Sequence, residues 1–466
     1  MSLLADARAT LMPGFRGTEL PAWMSALLAD GLVSCCLYGE NVVDPAQLRT
    51  LTDAVRAVRA DAIVALDEEG GDVTRVHYAT GSPFPGAAVL GRADDIGWTR
   101  SVGERVGQHV RAIGGTMTFG PVADVNVDPD NPVIGVRSAG ADAALAARHV
   151  AAWIEGAQRT GVAASAKHFP GHGDTAVDSH VGLPVVHADL ETLRGRELAP
   201  FRAAVDAGVA SIMTSHIVVP ALDSEPATHS RVILTELLRG ELGFEGVIVS
   251  DALDMAGASG TIGIPEAAVR ALAAGCDLLC LGTATGAEGI AAIERAVLAA
   301  VDDGRLDAER VRDAALRTRA LAAGGPAPMP LTAIGDATDD DLARIRSTFL
   351  VRERAHRWLA SPPAAPAVVR LERAANIAAG AVPWDPFAGS LVVEPGAVPR
   401  LPAGPVIVLG KDLERGPEAA VTIAALREWH EVLVVDMGWS RGELADIATF
   451  GASRACGLAL RGMLAR

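Results

Sequence analysis

Half of the 466 residues are hydrophobic but only 4% are aromatic, and the formal charge is −16. Such a chain can bury a large core, and it is too long for one ordinary domain, although a barrel takes well over half of this length. The acidic balance lacks any basic stretch to follow a phosphate backbone, which excludes nucleic acid as a partner, and no apolar run reaches the ~18 residues of a membrane span.

The opening MSLLADARATLMPGF has no basic segment followed by an apolar core and a cleavage site. The five cysteines include the adjacent pair Cys35 and Cys36, and an odd number with this spacing does not read as a disulfide framework. A reducing, cytoplasmic setting is the expectation.

In chain order, short apolar runs recur at 9–15, 32–38, 62–66, 116–121, 162–166, 210–214, 246–250 and 277–281. Helix-like amphipathic stretches lie between most of them, at 45–59, 99–113, 141–160, 190–207 and 265–274. Eight buried strands alternating with helices predict a (β/α)8 TIM-type barrel over residues 1–323. A Pro/Gly-containing linker is expected at 324–341. A smaller α/β domain follows at 342–466, with a helix at 342–359 and strands near 405–409 and 432–435.

Polar residues gather where strands end. Asp67, Glu68 and Glu69 follow the third run, Lys167 and His168 the fifth, Ser215 and His216 the sixth, and Asp251 the seventh. Chemistry in such barrels sits at the C-terminal strand ends. Lys167 is also one of two lysines among 41 basic residues, so it departs from the chain's own preference for Arg. Each residue has a plainer reading. Asp251 could cap the following helix, Arg137 could pair with Asp124 or Asp128, Glu68 and Glu69 could be solvated, and Gly171 and Gly173 could serve turns or give the loop freedom. His168, His172 and His180 with Asp174 and Asp178 could ligate a metal. No HExxH or paired-His helix motif supports that, and no metal or other cofactor is expected.

The stretch KHFPGHG followed by DSH, with ALDEEGGDVTR, IGVRS and VIVSDALDM, closely resembles the β-N-acetylhexosaminidases of glycoside hydrolase family 3. The resemblance runs in order over roughly 9–320 and weakens beyond. It implies a retaining exo-β-N-acetylglucosaminidase acting on a small glycan with a terminal β-N-acetylglucosamine, cell-wall fragments among them. By motif, Asp251 matches the nucleophile, His180 the acid/base and Asp178 the carboxylate that orients it. Asp67, Arg75, Arg137, Lys167 and His168 match contacts to the first sugar.

The chemistry agrees with those roles. A carboxylate can form a glycosyl ester, and an imidazole titrating near neutrality can protonate the leaving oxygen. An imidazole acid is neutral after giving up its proton, so phosphate is a conceivable acceptor besides water. A phosphorylase is therefore one alternative, and a β-glucosidase or β-xylosidase of the same family is another. All the matched catalytic residues precede the linker, so residues 1–325 are expected to retain the chemistry.

Overall fold

The computed structural model describes residues 2–175, 182–373 and 377–465. Eight strands of the first domain are parallel neighbours: β1 (Leu11–Pro13), β2 (Ser34–Leu37), β3 (Ile63–Leu66), β4 (Met117–Thr118), β5 (Ala163–Phe169), β6 (Ser211–Thr214), β9 (Val247–Val249) and β10 (Leu279–Leu281). β2, β3, β4, β5, β6 and β9 form one ladder, and β1 pairs with β10. A parallel bridge between Val249 and Leu278 joins the two sheets. Ser34 Oγ donates to the Leu11 carbonyl at 2.8 Å and brings β2 against β1, closing the cylinder. The expected barrel is present, its strands in the predicted order. A short antiparallel hairpin after β6, β7 (Val218–Val219) with β8 (Asp223–Pro226), was not anticipated.

Alternation along each strand divides the core. Met12, Cys36, Ile63, Ala65, Met117 and Met213 fill the inside of the barrel, while Leu11, Cys35, Val64, Leu66, Ala164 and Ile212 face the surrounding helices. The helices start where the sequence supplies a cap. Asp44, Asp95 and Asp142 accept main-chain N–H groups at the first turns of Pro45–Val58, Ile96–Ala112 and Ala143–Arg159.

The last barrel helix ends at Ala323. The linker lies along the barrel: Arg111 Nε donates to the Ala327 carbonyl at 2.7 Å and Arg49 Nη1 to the Met329 carbonyl at 2.9 Å. The next α-helix begins at Asp339, earlier than expected. The single helix expected at 342–359 is two, Asp339–Ser347 and Glu353–Ala360, because β11 (Leu350–Val351) intervenes and pairs antiparallel with β16 (Ile447–Ala448). Four further strands complete this sheet: β12 (Ala367–Leu371), β13 (Leu391–Val393), β14 (Val406–Gly410) and β15 (Val432–Asp436). The spatial order is β11-β16-β15-β14-β12-β13, and every pair except the first is parallel.

The two domains meet through specific bonds. Asp72 of the barrel accepts from Lys411 at 3.3 Å and from the main-chain N–H of Ala452 at 2.7 Å. Arg441 pairs with Asp130 at 2.6 Å, and the Arg92 guanidinium lies 3.8 Å over the Phe450 ring.

Candidate active site

Asp67 follows β3, and it faces Lys167 of β5 across the barrel mouth. Lys167 is 2% exposed, and its Nζ donates to Asp67 Oδ1 at 2.7 Å and lies 2.7 Å from Glu69 Oε1. Glu69 in turn holds Arg137 through two bonds, Oε2 to Nε at 2.9 Å and Oε1 to Nη2 at 2.7 Å. Arg137 therefore pairs with Glu69, not with Asp124 or Asp128. The Glu69 side chain is only 6% exposed and is shared between two cations, and Glu68 is fully buried, so neither carboxylate is solvated.

The charges stabilise one another. Burial alone would raise the Glu69 carboxyl, but Arg137 and Lys167 outweigh it and hold it at about 2. Asp67 likewise falls below the usual range, burial being overcome by Lys167 and Arg75. Burial works against the Lys167 ammonium, and Asp67 and Glu69 reverse it, so its pKa rises. These buried pairs satisfy the condition that makes buried charge tolerable, a partner with good hydrogen-bond geometry.

Glu68 points the other way. Its Oε1 accepts from Thr74 Oγ1 at 2.6 Å, and its Oε2 accepts from the N–H groups of Arg75 and Val76 at 2.7 and 2.8 Å. Burial raises this carboxyl to about 7. Its three bonds fix the segment from which Arg75 projects. The Arg75 guanidinium then contacts Asp67 at 3.3 Å and donates to the carbonyl oxygens of Ala378 at 2.7 Å and Ala379 at 3.4 Å.

The ladder between β5 and β6 shifts register between Ala166 and Phe169, and the Lys167–His168 peptide is cis. Both side chains line the same cavity. His168 Nδ1 lies 2.7 Å from Asp124 Oδ2, and Arg137 Nη2 lies 3.5 Å from His168 Nε2. A carboxylate only accepts, so Nδ1 carries a proton, and a neutral ring turns its Nε2 lone pair towards Arg137. Asp124 also accepts from the main-chain N–H of His172 at 2.7 Å.

Asp251 stands two residues beyond β9 and opens into the cavity. Its Oδ1 accepts from the N–H of Ala252 at 2.8 Å. The next helix begins only at Ala256 with Met255 at its cap, so Asp251 does not cap it. His216 Nε2 lies 3.0 Å from the Ala252 carbonyl, which can only accept, so this ring braces the turn behind Asp251.

The structure thus brings Asp67, Arg75, Arg137, Lys167, His168 and Asp251 around one cavity of about 480 Å3. That volume lies within the range of small-molecule sites. Asp178 and His180 lie outside the described residues. Among the described residues no group of three or more His, Cys, Asp or Glu forms a metal-binding cluster.

The Glycosyl hydrolase family 3 N terminal domain matches residues 18–321. The chain belongs to this family. A Beta-hexosaminidase of Pseudomonas aeruginosa is 37% identical over 300 residues, covering 61% of this chain and 86% of that one. Beta-hexosaminidase A of Pseudoalteromonas piscicida is 36% identical over 285 residues, 56% of this chain, and the match spans about half of that relative's length, 48%. A solved family 3 β-N-acetylglucosaminidase from Paenibacillus sp. str. FPU-7 superposes with a TM-score of 0.84 at 30% identity. It covers 100% of this chain and 96% of that one.

Several residues around this family 3 pocket escaped the sequence reading. Tyr38 and Tyr78 line it, and they are the chain's only two tyrosines. That scarcity was a usable signal. Ile377, Ala378 and Gly380 of the second domain also form part of the wall. They carry no chemical signature, since Ala378 and Ala379 act on Arg75 through main-chain oxygens.

Proposed function

We propose that this family 3 protein is a retaining exo-β-N-acetylglucosaminidase, with Asp251 as nucleophile and His180 as acid/base oriented by Asp178. The observation that carries the reading is Asp251 opening from a strand end into the cavity that Asp67, Arg137, Lys167 and His168 share. In the first step an Asp251 oxygen bonds to the anomeric carbon while the bond to the leaving oxygen breaks, and His180 gives that oxygen a proton. In the second step water attacks the same carbon, His180 takes back a proton, and Asp251 is released. Two inversions return the β configuration. Asp67, Arg75, Arg137, Lys167 and His168 hold the sugar by charge-assisted hydrogen bonds. Cell-wall fragments ending in β-N-acetylglucosamine are the natural substrate class this resemblance implies.

Water is the acceptor in this reading. The cavity lining carries four carboxylates, Glu40, Asp67, Asp251 and Asp254, against three cations, Arg75, Arg137 and Lys167. Those cations are already engaged by Asp67 and Glu69, so an incoming phosphate meets no uncompensated positive charge among the described residues.

The test is a panel of aryl β-glycosides, with and without phosphate, with products followed by NMR. The expected result is turnover of the N-acetylglucosaminide over the glucoside and xyloside, with β product released first and unchanged by millimolar phosphate. Preferential glucoside turnover, an α product, or sugar 1-phosphate as the main product contradicts it.

A further inference from the structure

Asn131 is 1% exposed, in the connection between β4 and the helix Ala143–Arg159. Every polar group of its side chain is used. Oδ1 accepts from the main-chain N–H groups of Val133 and Ile134, both at 2.9 Å. Nδ2 donates to the His172 carbonyl at 2.8 Å and lies 3.4 Å from Thr175 Oγ1. The main-chain oxygen of Asn131 accepts from Arg415 Nη2 of the second domain at 2.9 Å.

The three directions differ in what they reach. Val133 and Ile134 lead into the turn Gly135–Arg137, which presents Arg137 to the pocket. Residues 172–175 lead into the stretch that holds Asp178 and His180. Arg415 follows β14, and a neighbouring ion pair, Arg441 with Asp130, docks the same barrel segment on the same domain. A carboxamide has one acceptor end and one donor end, so the Asn131 side chain serves both chain segments at once.

We infer that Asn131 is a positioning residue that ties the second domain to both halves of the site: through Oδ1 to the sugar-binding Arg137, and through Nδ2 to the segment leading to the acid/base. This rests on the proposed role of His180. The substitution Asn131→Asp separates the two halves. One carboxylate oxygen still accepts from Val133 and Ile134, but the other now faces the His172 carbonyl, where a donor is required.

The experiment measures kcat and KM of the full chain along a series of β-N-acetylglucosaminides, from dinitrophenyl to methyl leaving groups. A poor leaving group needs the proton and an activated one does not, so a displaced acid is read as a steeper dependence on leaving-group pKa. For Asn131→Asp we expect kcat/KM to fall at least tenfold further for methyl than for dinitrophenyl, with KM for the dinitrophenyl substrate within threefold of the unaltered enzyme. Arg415→Gln, which leaves the buried amide in place, is expected to steepen the dependence in the same direction by about threefold. A profile parallel to that of the unaltered protein in Arg415→Gln, or in folded Asn131→Asp, overturns the inference. His180→Ala runs alongside: a steep His180→Ala profile beside parallel Asn131 and Arg415 profiles refutes only the positioning role. A His180→Ala profile without steepening removes the acid/base reading and this inference with it.

Discussion

Glu69 shows at the residue scale how a neighbouring pair of identical side chains takes two different tasks. Glu68 turns into the barrel wall and binds Thr74 and the N–H groups of Arg75 and Val76, while Glu69 bridges Lys167 and Arg137. The carboxyl of Glu69 is lowered in the folded protein from 4.5 to about 2, so its contribution to stability is full above pH 4.5 and is lost as pH falls through about 2. A shift of that size corresponds to about 3 kcal/mol. We therefore predict that Glu69→Gln lowers unfolding free energy by about 3 kcal/mol at pH 7, and that the gap to the unaltered protein narrows as pH drops from 4.5 towards 2. Urea unfolding at several pH values measures it, and a gap constant with pH contradicts it. The roles of Asp67, Arg137 and Lys167 as charged groups at the mouth were legible because each stands at a strand end or in a motif. The bridge through Glu69 was not, because sequence order gives no sign of which of two adjacent carboxylates turns inward.

Among the elements, the stretch 170–175 corrects the reading of its glycines. From the sequence alone, Gly171 and Gly173 could serve turns or give the loop freedom. Gly171 does adopt a positive φ of 134°, but a Cβ there would lie 2.9 Å from the Glu197 Cβ. A Cβ on Gly173 would lie 1.8 Å from the Val125 carbonyl oxygen. Crowding, not mobility, demands glycine at this position, and crowding arises from segments far apart in the chain that no local pattern reveals. Gly173→Ala is accordingly expected to cost at least about 2 kcal/mol and to reduce kcat/KM, since the segment leads to the proposed acid/base. Gly195→Ala, in the helix Leu193–Glu197 with nothing within 4 Å of the new Cβ, is expected to be neutral or slightly stabilising. Thermal unfolding of the two variants side by side measures this, and equal melting temperatures contradict it. The order of the eight barrel strands, by contrast, was readable, because buried parallel strands are short apolar runs and their polar punctuation marks the functional end.

For the molecule as a whole, the second domain enters the site it was expected only to accompany. Ile377, Ala378 and Gly380 help wall the pocket, Arg75 donates to two carbonyl groups from that domain, and Arg415 reaches Asn131. These contacts change what residues 1–325 should do by themselves. The truncated chain keeps Asp67, Lys167 and Asp251, but it loses one wall and the two second-domain carbonyl groups that accept from Arg75. We predict a KM raised at least about tenfold, equivalent to about 1.4 kcal/mol of binding, with partial kcat where the fragment folds. Steady-state kinetics on folded fragment measures it, and an unchanged KM contradicts it. The uncharged residues at 377–380 explain why this dependence was illegible: their part is played by main-chain oxygens and by shape, which leave no motif.

Asp251 is proposed to carry the sugar covalently between the two steps. A slow fluorinated N-acetylglucosaminide with a good leaving group should add one sugar mass to the intact protein, and peptide mapping should place it on Asp251, with Asp251→Ala unlabelled and inactive. Labelling at another residue, or full activity in Asp251→Ala, would contradict Asp251 as the nucleophile.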